Sequence, residues 1–466
     1  MNQFDDTMHR ALARIRRRAL TMRTSSSLSS DPHLTIGIAT IKIVTEEHIQ
    51  AIAFGPLDGA PTAIVRFNPI GRDVADLLPF AAFLNATIDR AIAAEAPMRL
   101  WLPHATTLEA LDVLGHRYWR NQNAPAEIVR MGEICRIIAH EATIPGQQLV
   151  ADATALLQAH VITGMAPIEE GHLGAILAWL DPAVADPLAE GRDRIRLPAS
   201  GILPNTPDHP YDDRVDRLRK ELKNASGAYR QQLEAQIDAI LRDWVLHEWE
   251  LMVAGRQAFL ALGLPPIGLD ELVKDSTNRV ANALGYGFYP ARQPDQLARL
   301  IGAMEAGQEK ADLVAIESDV LMRERAARAG GVVVGRVSEV HQPRPGFNPC
   351  AIEVESAQSM IRFRLDEKIR VIGSNVVGVV RGLTTTPSGG TRVEIEISSG
   401  VKTRSVLTVG AGVELIRAGF AFVNHRALNT AREQQSWIFF GDTAPALMPG
   451  TPTGQSALAV ARAARR

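Results

Sequence analysis

Cysteine is nearly missing from this 466-residue chain: Cys135 and Cys350 lie too far apart for a CxxC metal knuckle and are too few for a disulfide framework. That scarcity predicts a reducing, cytoplasmic setting. No uninterrupted apolar run approaches the roughly 18 residues of a membrane-crossing helix, so no membrane partner is expected. An excess of one charge is missing too. Fifty Lys and Arg stand against 52 Asp and Glu, so any grip on a polyanion must come from a local patch. Assembled catalytic motifs are also lacking: there is no HExxH, GxSxG, strand-borne GxGxxG or Asp-x-Asp. His247-Glu248 is followed by Leu251, one ligand short of a zinc helix, and reads as helical surface. His104 and His140-Glu141 have no partners at readable spacing. No catalytic residue, resident metal or cofactor is therefore assigned. What remains is 46% hydrophobic and 22% charged, the composition of a soluble protein of about three domains.

Hydropathy patterning predicts a multidomain α+β chain. Residues 1–33 form a basic, Ser-rich arm: Arg10, Arg14, Arg16, Arg17, Arg18 and Arg23 precede Ser25, Ser26, Ser27, Ser29 and Ser30. A solvated basic helix and a flexible linker fit this pattern; a transit peptide or a phosphate-binding arm are the alternatives, and Asp5 and Asp6 speak against transit. Residues 34–125 read as a layered α/β domain. Strands are expected over Leu34–Val44, Ile49–Phe54 and Ala63–Phe67, a helix over Asp73–Ala94, a strand over Arg99–Leu102, and a helix capped by Thr106 or Thr107. Residues 126–329 are mainly helical. Their clearest element runs through 211–262, where Asn224–Gly227 leaves open two packed helices or one long one. From Gly330 to 420 the period changes from 3.6 to 2, with short strands including Met360–Leu365 and turns such as Pro387–Gly390. This pattern predicts a small closed β-barrel of the OB or SH3-like size class.

The barrel segment carries eleven basic and eight acidic side chains in a chain whose sum is −2. Arg362 and Arg364, expected on one strand face, together with Arg336, Arg344, Lys368, Arg370 and Arg381, could track the phosphate backbone of DNA or RNA. A mixed solvated face is the competing reading, since only Phe347 and Phe363 lie nearby as stacking platforms. Residues 421–466 end in a tail resembling a degenerate phosphate loop. Gly450, Gly454 and Ser456 suit such a loop, but Gln455 stands where its lysine belongs and cannot neutralise phosphate.

The succession of Arg66-Phe-Asn-Pro-Ile-Gly-Arg-Asp73 and Leu100-Trp-Leu102, a helical region, and a barrel with Val334-Gly-Arg-Val337 and Pro343-Arg-Pro-Gly-Phe347 resembles the region upstream of the motor in some bacterial superfamily 1 helicases. The resemblance implies an RNase H-like first domain, then a stalk and barrel, in a truncated, split or accessory protein. RNase H-like nucleases carry carboxylates on their first strand, whereas Leu34–Val44 has none. The expectation is a non-catalytic nucleic-acid-binding accessory protein of bacterial DNA repair or phage defence, with a helicase or nuclease as partner. A divergent Mg2+-dependent nuclease using residues such as Asp73, Asp76, Asp89 or Glu109 is the alternative, and a structural scaffold the third.

Overall fold

The computed structural model describes residues 3–43, 48–71, 74–199, 201–287, 294–344, 348–400 and 407–418. Its architecture is mixed α+β, with a five-stranded sheet, a closed six-stranded barrel and a two-stranded sheet. The five-stranded sheet and the barrel both belong to the unit formed by residues 1–288 and 307–420.

A helix over Gln3–Arg16 leads to strand β1 (Leu20–Thr21). Strands β2 (Leu34–Lys42), β3 (Ile49–Pro56) and β4 (Thr62–Val65) form an antiparallel meander, and β5 (Met98–Leu102) and β6 (Val150–Asp152) add on parallel to β2, giving the order β4-β3-β2-β5-β6. Strand β7 (Val161–Ile162) pairs back with β1.

The sheet is buried on both faces, and its side-chain alternation explains how. Ile36, Ile38, Ile49 and Ile52 point toward the helices Leu78–Ala93, Ala105–Tyr118 and Ala126–Ala142, where they meet Phe80, Leu84, Leu111 and Ile134. Ala39, Ala51, Ala53 and Trp101 belong to the opposite core, formed with Ile237, Leu241, Trp249 and Met252 of the helix Gly227–Ala261. The small side chains on that face let the long helix approach closely. A Cβ on Gly37 would sit 2.4 Å from Met252 Cε and 2.9 Å from the Trp249 ring, so a side chain there would force the long helix's side chains to shift.

The helical expectation over 211–262 resolves into two helices, Tyr211–Leu222 and Gly227–Ala261, broken where Gly227 takes a left-handed φ of 58°. Three expectations are corrected. The α/β domain does not end at 125, because its fifth strand lies at Val150–Asp152. The second helix of that domain is capped by His104, whose Nδ1 accepts from the Thr106 N–H, and not by Thr106 or Thr107. The Ser-rich segment is no flexible linker. Ser25, Ser26 and Ser29 are buried, with Ser29 N–H donating to Gln148 Oε1 at 2.8 Å, because hydroxyls and backbone taken out of water must be paired.

The barrel comprises β8 (Val333–His341), β9 (Ala351–Ser356), β10 (Lys368–Val371), β11 (Val377–Thr385), β12 (Thr391–Ser399) and β13 (Gly412–Arg417), closed in the order β10-β11-β12-β9-β8-β13 with every pair antiparallel. Val393 and Ile395 point inward while Arg392, Glu394 and Glu396 face outward, as their alternation predicts. The expected strand Met360–Leu365 does not form. That stretch is irregular because Phe363 turns in to plug the barrel core at 6% exposure, and Asp366 follows in a left-handed turn with φ 63°.

Candidate nucleic-acid interface on the barrel

The seven basic residues singled out from the sequence fall into different electrostatic situations. On β10, Lys368 and Arg370 alternate with the buried Ile369 and Val371, so both face outward. Arg370 is neutralised by Glu317 at 2.5 Å. Arg381 is bracketed by Asp366 and by Glu396 at 2.6 Å, and these hydrogen bonds push its guanidinium pKa up. Arg336 donates to the Gly410 carbonyl at 3.3 Å. Arg344, Arg362, Arg364 and Lys368 are exposed, and among the described residues none of them makes an ion pair. On the same barrel Arg392 is held by Glu355 and Arg417 by Glu367 at 2.6 Å, so Arg370, Arg381, Arg392 and Arg417 already have an internal counterion.

Arg362 and Arg364 owe their exposure to the plug between them. With Phe363 turned inward, its two neighbours point out, and backbone bonds fix the segment: Arg362 N–H to Gly330 O at 2.8 Å, and Arg364 N–H to Glu367 Oε2 at 2.9 Å. Gly330 closes the helix Val320–Arg328, whose last turn carries Arg325 and Arg328. Arg328 pairs with Glu324, whereas Arg325 makes no ion pair among the described residues and rests on Met322 Sδ. Sequence reading missed Arg325, because its helix gives no hint that it ends beside the barrel loop.

The seven residues do not form one stripe. Arg336 registers with Gly412 at the start of β13, while Ala418, just past its end, bonds the Lys368 carbonyl. At about 3.3 Å per residue these positions lie on the order of 20 Å apart along the barrel. Arg336 instead lines a groove of about 870 Å³ with Glu355, Ser356, Thr386, Ser388 and Glu414.

In the α/β domain the carboxylates named for a nuclease do not converge. Asp76 holds the buried Arg66 at 3.0 Å, Asp89 pairs with Arg130, and Glu109 pairs with Lys42 at 3.0 Å, while Asp73 lies outside the described residues. Strands β2, β5 and β6 hold one carboxylate between them, Asp152. It caps the helix Ala153–His160 through the Ala155 N–H at 3.0 Å; burial pushes its pKa up, and that bond and nearby His104 pull it partly back. Sequence spacing could not show this juxtaposition, since Leu102 and Asp152 meet through parallel register alone. Two further readings change. Glu248, read as helical surface, is 2% exposed, and Glu141 is a buried partner of Arg279. Gly450, Gly454, Gln455 and Ser456 lie outside the described residues.

Among the described residues, no helix is long and apolar enough to cross a membrane. No family model and no curated protein sequence matches the chain. Among solved structures, that of the periplasmic adaptor protein EmrA aligns at 13% identity over 86% of this chain and 96% of that one, with a TM-score of 0.10, a likeness too slight to carry an argument.

Proposed function

We propose that this chain is a non-catalytic nucleic-acid-binding accessory protein of the cytoplasm, in which an OB or SH3-like barrel grips a DNA or RNA backbone and an RNase H-like α/β domain serves as scaffold. The observation that carries this reading is the set Arg362, Arg364 and Lys368, exposed and, among the described residues, without ion pairs, on a barrel where Arg370, Arg381, Arg392 and Arg417 are held by carboxylates. Cations left without an internal counterion are those available to displace the counterions of a phosphate chain. The strand order β4-β3-β2-β5-β6, an antiparallel meander followed by two parallel strands, supports the RNase H-like assignment. The lack of carboxylates on β2 supports a scaffold role, since paired metal ions need several acids. A helicase or nuclease of DNA repair or phage defence is the partner this reading implies.

The test is a titration of labelled single- and double-stranded DNA and RNA at two salt concentrations with Mg2+ present, the probe then being run on a denaturing gel. Salt-sensitive binding of intact probe, weakened by Arg362→Glu with Arg364→Glu, is the expected result. Cleaved probe would favour the Mg2+-dependent nuclease, with Asp152 the first residue to mutate. No binding at low salt overturns the proposal.

A further inference from the structure

Three metal-ligating side chains converge on the outer face of the barrel, away from the exposed cations of the loop 360–365. Glu339 and His341 of β8 and Glu353 of β9 each bring one ligand atom within 4.8 Å of the other two, the one such group among the described residues. Strand register assembles them. An irregularity between Val337 and Glu339 resets the pairing so that Glu339 stands directly opposite Glu353, and His341 lies two residues along on the same face. His341 Nε2 is 3.3 Å from Glu353 Oε1, and its Nδ1 is 3.6 Å from Glu339 Oε1.

Two carboxylates facing each other across an antiparallel pair repel, so the arrangement calls for positive charge between them. Arg392 fills that place only in part. Arg392 approaches the far oxygen of Glu353 at 3.7 Å, but its guanidinium is hydrogen-bonded to Glu355, which leaves Glu353 Oε1 and the Glu339 carboxylate turned toward the imidazole.

We infer that Glu339, His341 and Glu353 form a binding site for a borderline divalent transition metal of the zinc class. One imidazole nitrogen with two carboxylate oxygens suits Zn2+ or Co2+, whereas Mg2+ and Ca2+ favour all-oxygen sets. Ligand bonds of about 2.0–2.2 Å put the donor atoms of a tetrahedral site roughly 3.3 Å apart, close to the spacing of Nε2 and Glu353 Oε1. Binding through Nε2 then asks the exposed Glu339 side chain for a change of rotamer. Three protein ligands leave the fourth position to solvent, so the ion is exchangeable. The site is independent of the proposed nucleic-acid grip.

The test is a Co2+ titration of the full chain without nucleic acid, read by the visible ligand-field absorption of the bound ion and followed by displacement with Zn2+. One saturable equivalent, displaced by Zn2+ and weakened at least about tenfold by His341→Ala and by Glu353→Gln, is expected. Glu339→Gln, at an exposed position, gives the same readout should either of those variants fold poorly. The inference fails if no saturable equivalent appears, which leaves an ionic cluster only, or if the affinity survives in the Glu339→Gln, His341→Ala double variant, which places the ion elsewhere.

Discussion

Asp31 Oδ1 accepts a hydrogen bond at 2.9 Å from the guanidinium of Arg99, a side chain with no exposure at all. The same oxygen takes the Trp101 indole N–H at 3.1 Å, and Oδ2 takes Arg256 at 2.7 Å, so one carboxylate joins the N-terminal segment, the sheet and the long helix. Burial pushes the Arg99 pKa down and Asp31 opposes that shift. Removing the carboxylate strands a buried charge. Asp31→Ala is expected to lower the unfolding free energy by about 3–5 kcal/mol in urea melts. Adding Arg99→Met should recover part of the loss, since an apolar chain needs no counterion, and a double variant weaker than Asp31→Ala alone would refute this account.

His160 sets a pH dependence. Its fully buried ring accepts the Ser27 N–H on Nε2 at 3.1 Å, with Nδ1 2.7 Å from the Leu156 carbonyl. Burial pushes its pKa down to about 4, against about 6.5 for a free histidine. As pH falls, the unfolded chain takes up the proton first, so stability is whole above about pH 6.5 and declines toward pH 4. The loss amounts to up to about 3 kcal/mol. Urea midpoints measured across that window should fall, and His160→Gln should flatten the slope without abolishing it, because burial also lowers the pKa of His140 and His172. An unchanged slope in the variant would exclude His160 as the cause.

The two thiols differ in reactivity. Cys135 is fully buried in the helix Ala126–Ala142, and desolvation pushes its pKa up to about 12, while Cys350 is exposed. A thiol-exchange reagent should therefore count one cysteine in the native chain and two in denaturant. Cys350→Ser should leave the native chain unreactive; prompt labelling of that variant would contradict the burial of Cys135.

Salt dependence separates free from neutralised cations. Replacing Arg362, Arg364 or Lys368 by Gln should each lower the slope of log affinity against log salt by about one. Arg381→Gln should leave the slope unchanged, because Asp366 and Glu396 already cancel its charge. Equal effects at all four positions would show that the ion pairs open on binding and that exposure alone governs the grip.

Periodicity made much of the fold legible. The apolar run Leu34–Lys42, the helical stripe of Gly227–Ala261 and the alternation of Thr391–Ser399 each record a burial pattern within one element, and each forms where expected. Met360–Leu365 failed because its alternation reflects a single core residue, Phe363, rather than a pleated strand with partners. The candidate site was half legible: composition located the basic barrel, but not which arginines are sealed by carboxylates at other places in the chain.

The sequence by itself determined the strands and helices of a layered α/β region, the helical stripe through 211–262, and a small barrel with charged outer positions, because hydrophobic period is a local property. Tertiary structure alone decided that Ser29 reaches Gln148, that Asp152 registers with Leu102, and that Glu339, His341 and Glu353 meet. Strand register and the pairing of buried polar groups are set by residues far apart in the chain, and no spacing rule within one segment carries them.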